Sequence, residues 1–364
     1  MQKISTVRTS GSKIFQGQLT IGLDLGDRTS SYCVLNEAGE MILERKPPTS
    51  PEAVKETFAG IPLSRIAMET GTHSPWVSRL LTALGHEVIV AHARNVRLIT
   101  QSRRKDDRLD ARTLARLARI DPQLLSPVKH RCAQAQLHLT EIRARAVLVS
   151  SRTALVNAAR GLVKSYGERL RKCHTQTFHR EASGLSKGLR EALEPLLKDV
   201  ESLNERILEY DRRIAKMAKT VYPEVELLKQ VNGVGDLIAT TYVLTIEDPH
   251  RFRKSRDAGC FVGLQPGRRN SGDSEPQMHI SKEGDEYLRT LLVQGAHYIL
   301  GPFGEDSDLR RLGRKLAERG GKNAKKRAVV AVARKLAVLL HRLWVSGEVY
   351  EPLRNSQKTL PAVA

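Results

Sequence analysis

The feature that most constrains the fold is a succession of short apolar runs between Leu19 and Ala91, each bounded by turn residues. The first three, Leu19–Leu25, Ser31–Asn36 and Met41–Arg45, follow one another with only short turns between them. Runs of this length and spacing are typical of β-strands joined as hairpins. The sequence therefore predicts an antiparallel meander at the start of the folded chain.

Helical and strand patterns alternate after the meander. The predicted order is a helix at Pro51–Gly60 capped by Ser50, a strand at Arg65–Glu69, a helix at Ser74–Leu84 and a strand at His86–Ala91. A helix at Asp107–Ile120 follows, with Leu109, Leu114, Leu117 and Ile120 as its apolar positions. We expect a mixed α/β domain over residues 19–125, preceded by a flexible tail of residues 1–18.

The rest of the sequence is mostly helical. Residues 126–222 carry two long helical patterns, Leu137–Val163 and Leu189–Met217, which predict a helical hairpin. The hairpin is either a dimerising coiled coil or a simple spacer. Residues 223–350 form a predicted third, mostly α domain with helices at Asp236–Thr245, Leu288–Ile299 and Ala324–Leu343, followed by a tail of residues 351–364.

Positive charge indicates the kind of partner. The chain of 364 residues has 60 Lys and Arg against 40 Asp and Glu, a net charge of +20. Such an excess suits a polyanion, and nucleic acids are the main polyanions of the cytoplasm. The charge is concentrated in two runs, residues 94–119 with Arg103, Arg104, Lys105 and Arg108, and residues 314–327 with Lys325 and Lys326.

Composition excludes several other classes. Aromatic residues make up only 4% of the chain, which disfavours a sheet that stacks nucleic-acid bases. No apolar run is long enough for a membrane span, and the first residues lack the apolar segment of a signal peptide. The four cysteines are too scattered for a zinc site or a disulfide framework. We expect a soluble, cytoplasmic protein with no membrane partner.

Four acidic residues fall where chemistry is expected. Asp24 and Glu69 stand at or near the ends of predicted strands, and Asp107 and Asp110 are three apart, on one face of a basic helix. Singly, each has an ordinary explanation as a turn cap, a loop acid or a salt-bridge partner. Jointly, they predict a site for a pair of Mg²⁺ ions, which prefer carboxylate oxygens and promote phosphoryl transfer.

The same acids carry a family resemblance. The N-terminal motifs resemble the DEDD, RuvC-like domain of the insertion sequence 110 transposase family: Leu23-Asp24-Leu-Gly, Met68-Glu69-Thr-Gly-Thr and Lys105-Asp-Asp107-Arg-Leu-Asp110-Ala. The C-terminal motifs are also similar to that family: Val231-Asn-Gly233-Val-Gly235, Phe261-Val-Gly-Leu-Gln-Pro266, Asn270-Ser271-Gly272, Ile280–Leu292 and Ala331–Ala337. The resemblance spans roughly residues 19–350, with the motifs in the family's order.

The resemblance implies a fold, an activity and a set of partners. It implies an RNase H-like α/β domain whose acids Asp24, Glu69, Asp107 and Asp110 bind Mg²⁺, and a C-terminal domain whose serine attacks DNA. That serine is Ser271, where Asn270 replaces the first serine of the family's pair; Ser274 is a weaker candidate. The implied protein is a homo-oligomeric recombinase, a dimer or tetramer, associated with the nucleoid and guided by a structured RNA that pairs with donor and target DNA.

Other interpretations remain open at the level of sequence. A RuvC-like endonuclease or junction resolvase would use the four acids alone, because water would then attack the phosphate. An actin-like or sugar-kinase-type ATPase is suggested by Asp24-Leu-Gly-Asp-Arg-Thr, but no second phosphate loop accompanies that segment. The Gly233-Val-Gly235 turn is either a helix-hairpin-helix contact to a phosphate or a plain connection between helices.

Overall fold

The computed structural model describes residues 17–92, 107–267, 269 and 278–357, and the chain divides into two compact units, residues 1–133 and 134–364. The elements of the N-terminal unit are β1 (Thr20–Asp24), β2 (Ser31–Leu35), β3 (Met41–Arg45), α1 (Pro51–Ala59), β4 (Arg65–Glu69), α2 (Ser74–Ala83), β5 (Glu87–Ala91) and α3 (Asp107–Ile120).

A single mixed sheet organises the N-terminal unit. Its strand order is β3-β2-β1-β4-β5. β1 and β2 pair antiparallel, as do β2 and β3, while β4 runs parallel to both β1 and β5. The predicted meander and the predicted mixed α/β domain are therefore confirmed. Ser50 caps α1 as expected, because its hydroxyl accepts a hydrogen bond from Ala53 N.

The two faces of the sheet carry different side chains. Because neighbours along a strand point to opposite faces, Leu23 and Tyr32 lie on one face, in a core with Phe58 of α1. On the other face, Cys33 packs with two alanines of α3, Ala111 and Ala115. Small side chains thus line the contact between α3 and the sheet, and the backbones approach closely.

The apolar positions predicted for α3 were half right. Leu114 is fully buried and Leu117 nearly so, but Ile120 is 71% exposed and Leu109 is 37% exposed. The buried face is completed instead by alanines, Ala111, Ala115 and Ala118. Periodicity of large apolar residues missed this part of the face because, at Ala111 and Ala115, the helix lies too close to the sheet for leucine or isoleucine.

The C-terminal unit is helical in its described residues. Its elements are α4 (Ala133–Ser165), α5 (Lys187–Val221), α6 (Glu224–Leu228), α7 (Asp236–Ile246), α8 (Arg256–Phe261), α9 (Glu286–Leu300), α10 (Asp308–Glu318), α11 (Ala324–Ser346) and α12 (Arg354–Gln357). Across the described ranges, none of the helices combines the length and apolar character needed to cross a bilayer.

The long helices α4 and α5 pack against each other in antiparallel fashion. Arg145 of α4 pairs with Asp211 of α5, and Arg152 Nη1 donates to Asn204 Oδ1 at 2.7 Å. An apolar cluster that includes Val163 and Leu193 fills the end nearer the connecting segment. Both helices are longer than their sequence patterns indicated. Their role as a dimerising coiled coil stays a prediction.

The main core of the C-terminal unit surrounds α11. Val332, Leu336 and Leu340 of this helix are fully buried. The hydroxyl of buried Tyr242 on α7 donates to Ala337 O at 2.6 Å, which satisfies its polar group inside the core. Helix α10, which the sequence analysis treated only as the start of a basic run, is capped by Ser307 through Arg310 N.

Candidate active site

Asp24 and Glu69 meet at one edge of the sheet. Asp24 is the last residue of β1 and Glu69 the last residue of β4. The parallel register of these strands pairs Leu23 with Met68, so the two acids come next, side by side. Their side chains point to the face on which α3 packs, because each lies two residues after a residue whose position contacts that helix.

Gly22 lets α3 reach this edge. A Cβ at Gly22 would lie 2.5 Å from Ala115 N and closer still to the carbonyl oxygen of Ala111. No L-side chain fits there, so the backbone of α3 rests directly on β1. This contact brings the first turn of the helix, with Asp107 and Asp110, to the strand ends. Sequence reasoning missed Gly22, although a glycine inside a strand pattern does signal close backbone approach.

The four carboxylates repel one another. The pKa of Asp24 rises from 3.8 to about 6 because the group is desolvated by burial and lies near the charges of Asp107, Asp110 and Glu69. The pKa of Glu69 is also raised, by burial first and by Asp110 second. Each of the four predicted acids therefore takes part in one electrostatic cluster.

Two ion pairs fasten α3 to β3 on the same face of the sheet. Lys46 Nζ lies 3.0 Å from Asp107 Oδ2. Arg112 forms a two-pronged pair with Glu44, with Nε–Oε1 and Nη2–Oε2 distances of 2.8 and 3.0 Å. Sequence reasoning missed Lys46 and Glu44, and it placed Arg112 only in the basic run of residues 94–119. The available signal was the spacing of Glu44 and Lys46, which are two apart where the strand Met41–Arg45 ends and therefore point to the same face.

The residues present suit a hard divalent cation. Glu69 Oε1 is buried and has no hydrogen-bond partner among the described residues, and an orphaned carboxylate oxygen is costly unless a cation completes it. As the side chains stand, no three His, Cys, Asp or Glu within the described ranges are close enough to hold an ion. The carboxylates are close enough to raise the pKa of Asp24, but they are not close enough to share one ion as they stand. Asp107 pairs with Lys46 instead.

Ser271 lies outside the described residues, and residues 263–267 and 279–284 of the described chain flank its segment. Pro266 pairs with Ile280 in an isolated β-bridge, and Gly267 N donates to His279 O at 2.8 Å. The two ends of the segment that contains Ser271 are thus held together. We refer to the paired residues 263–267 and 279–284 as the stem.

Glycine and arginine residues of the C-terminal motifs build the stem. Gly263 has a φ of +69°, and a Cβ there would lie 2.4 Å from Glu283 N. Arg289 Nη1 donates to the carbonyls of Val262 and Glu283, at 3.0 and 2.8 Å. Asp285 caps α9 by accepting from Leu288 N. These motif residues therefore stabilise the stem, which flanks the segment that contains Ser271.

The remaining predicted nucleic-acid contacts differ in how the structure presents them. Lys325 and Lys326 are exposed at the start of α11, and Arg108 is exposed in the first turn of α3, whereas Arg103, Arg104 and Lys105 lie outside the described residues. Gly233 has a φ of +89°, and a Cβ there would lie 3.1 Å from Tyr298 Cδ1, so its backbone conformation and packing both favour glycine. A Cβ at Gly235 would meet open space, and this residue precedes α7 without a side-chain cap.

Comparison with known proteins identifies the family. Residues 21–168 match a family model described as transposase, of the DEDD type, and residues 225–305 match the model described as "Transposase IS116/IS110/IS902 family". The transposase for insertion sequence element IS1111A of Coxiella burnetii is 30% identical over 339 residues, covering 91% of this chain and 90% of that protein. The chain belongs to the IS110 family of transposases.

A second relative supports the assignment over the whole transposase. A probable family 20 transposase of Pseudomonas aeruginosa is 28% identical over 341 residues, covering 91% of this chain and 98% of its own length. The resemblance noted in the sequence is thus confirmed, and the protein is a DNA transposase enzyme of an insertion sequence. Its DEDD domain implies a divalent metal, and its substrate is DNA.

Proposed function

We propose that this transposase cuts and rejoins DNA with Mg²⁺ held by Asp24, Glu69, Asp107 and Asp110 and with Ser271 as the attacking group. The observation that carries the proposal is the convergence of four carboxylates from β1, β4 and α3 on one electrostatic cluster. These four residues would hold the Mg²⁺, which when bound would supply positive charge beside the phosphate and the attacking hydroxyl.

The serine step conserves the energy of the phosphodiester. A bond forms between Ser271 Oγ and phosphorus, and one P–O bond of the DNA backbone breaks. The serine proton passes to solvent or a nearby base, and the departing DNA oxygen takes up a proton. Rejoining reverses these events with a different DNA oxygen, so no ATP is consumed. The family motif Asn270-Ser271-Gly272 supports this role.

Partners follow from the reaction and from the family. Recombination joins two DNA molecules, which favours a homodimer or tetramer with α4 and α5 as its coiled coil. A structured RNA encoded by the element is proposed to pair with donor and target DNA. The exposed Lys325 and Lys326, and the excess of positive charge over the whole chain, suit phosphate contacts of either nucleic acid.

The decisive test is a search for a covalent protein–DNA adduct. Transposase, Mg²⁺, the RNA transcribed from the element's own non-coding sequence and a DNA duplex carrying the element end are incubated, and the mixture is denatured. We expect a DNA-linked protein band for the wild type and for the control Ser274→Ala, and none for Ser271→Ala, which still binds DNA.

Two other results would redirect the proposal. Cleavage without any adduct, unchanged in Ser271→Ala, would indicate the RuvC-like endonuclease that uses the acids alone. An adduct that survives Ser271→Ala and disappears in Ser274→Ala would move the nucleophile to Ser274. Recombination that proceeds equally well after RNase treatment would remove the guide RNA from the reaction.

A further inference from the structure

Lys46 pairs with Asp107, and its charge also lowers the pKa of Asp24, but the metal chemistry above gives it no role. Its place is set by strand register. Asp24 pairs with Ser31 across β1 and β2, and Tyr32 pairs with Arg45 across β2 and β3. Continuing the β2–β3 register by one residue therefore places Ser31 beside Lys46. Lys46, Ser31, Asp24 and Glu69 form a row across the sheet edge, which we call the edge row.

The backbone of Lys46 is fixed on both sides. Arg45 ends β3, and Pro47 O accepts a hydrogen bond from Ser30 N at 2.9 Å. Pro48 forms an isolated bridge with Thr29, and the hydroxyls of Ser30 and Thr49 lie 2.7 Å apart. The backbone on both sides of Lys46 is thus held in place, whereas its side chain is partly exposed to solvent.

The ion pair with Asp107 is suited to exchange. The side chains of Lys46 and Asp107 are 47% and 60% exposed, and pairs this open to solvent are weak. In the middle of the edge row, Ser31 Oγ is buried and has no hydrogen-bond partner in the described part of the chain. The polar edge is therefore incompletely satisfied in the protein alone, as expected of a surface that receives oxygen-rich ligands.

We propose that Lys46 is a two-position residue: it neutralises Asp107 in the metal-free transposase, and it contacts a non-bridging oxygen of the DNA phosphate once Asp107 binds metal. This inference rests on the proposed metal site. A divalent cation outcompetes one ammonium for a carboxylate, and the released ammonium then lies beside the place where phosphate charge accumulates. Lys46 thus opposes metal binding while it assists DNA cleavage.

Opposite effects on two measurements test this role. Lys46→Gln removes the charge and keeps a polar side chain that is one atom shorter, and Lys46→Arg keeps the charge. The matched control is Arg45→Gln, which removes the same charge one residue away, on the face of the sheet that carries Tyr32. Mg²⁺ affinity is measured without DNA from the rise in melting temperature. Adduct formation is measured separately at saturating Mg²⁺.

We expect Lys46→Gln to bind Mg²⁺ about two- to fivefold more tightly, since a surface ion pair no longer competes. Its adduct formation falls by about tenfold or more, since one phosphate contact is lost. Lys46→Arg retains at least part of the activity, and Arg45→Gln matches the wild type in both measurements. In an Asp107→Asn background, Lys46→Gln changes Mg²⁺ affinity less than in the wild type, because only the longer-range effect of its charge on Asp24 remains.

Three results would overturn the inference. Weaker Mg²⁺ binding together with lower activity in Lys46→Gln would make Lys46 a purely structural support. Unchanged values in both measurements would make it an inert surface charge. A wild type that Mg²⁺ does not stabilise would remove the metal site itself and this inference with it, and this failure is distinguishable because it appears without any variant.

Discussion

The mutual repulsion of the four acids makes a testable prediction about stability. Replacing Asp24 by Asn removes a carboxylate whose pKa is raised from 3.8 to about 6. At 1.36 kcal/mol per pH unit, that rise corresponds to at most about 3 kcal/mol of destabilisation. Asp24 is only partly buried, so solvent screening reduces the expected gain from Asp24→Asn to about 1–2 kcal/mol.

The size of the effect depends on pH. In the window between 3.8 and about 6, the folded protein binds the Asp24 proton more tightly than the unfolded chain does. Stability of the wild type therefore falls as pH rises through this window. The destabilisation by the charged Asp24 is absent at pH values below this window and complete at values above it. Asp24→Asn should match the wild type near pH 4 and exceed it at pH 8.

Thermal unfolding of the full chain with and without Mg²⁺ measures this prediction. Without metal at pH 8, Asp24→Asn should melt a few degrees higher than the wild type. With Mg²⁺ the order should reverse, because metal stabilises only the intact acid cluster. Asp27→Asn is the control, since its carboxylate is 94% exposed in the loop after β1. An Asp24→Asn variant that is less stable than the wild type at pH 8 without metal would refute the electrostatic reasoning.

The remaining predictions concern packing and charge. Gly22→Ala should destabilise the transposase by about 1–3 kcal/mol and abolish stabilisation by Mg²⁺, because its Cβ collides with the backbone of α3; melting curves with and without Mg²⁺ check both effects. Replacing Arg103, Arg104 and Lys105 together by Ala should make the negative slope of log affinity for duplex DNA against log salt less steep, by up to about 2.7, as measured by titration. Arg310→Met should cost about 2–3 kcal/mol in denaturant unfolding, because this buried side chain donates to the carbonyls of Ile299 and Gly301.

Sequence reasoning reached the strands and the acids because local pattern determines them. Apolar runs of strand length predicted the sheet, and Asp24 and Glu69 could be assigned to its edge from their positions after those runs. Asp107 and Asp110 followed from helical spacing. These inferences need only the neighbours of each residue along the chain, which the sequence contains directly.

The features that the sequence analysis missed depend on contacts between distant segments. Lys46 joins the acids only through the register of three strands, and a shift of one residue would turn it to the opposite face. The close packing of α3 against Gly22 depends on the distance between two backbones, and no local sequence pattern indicates that distance. Ser271 could be assigned only by family resemblance, because Asn-Ser-Gly by itself is typical of a turn.

The close seat of α3 also bears on how copies of a mobile element lose activity in a genome. Random substitution strikes many more positions than the four acids, and alanine to valine requires one nucleotide change. Valine at Ala111 or Ala115 would add two methyl groups to a fully buried contact and push the first turn of α3 from the strand ends. A copy can therefore keep its entire acidic signature and be inactive. Whether a copy is intact should be judged from Gly22 and these alanines as well as from the acids.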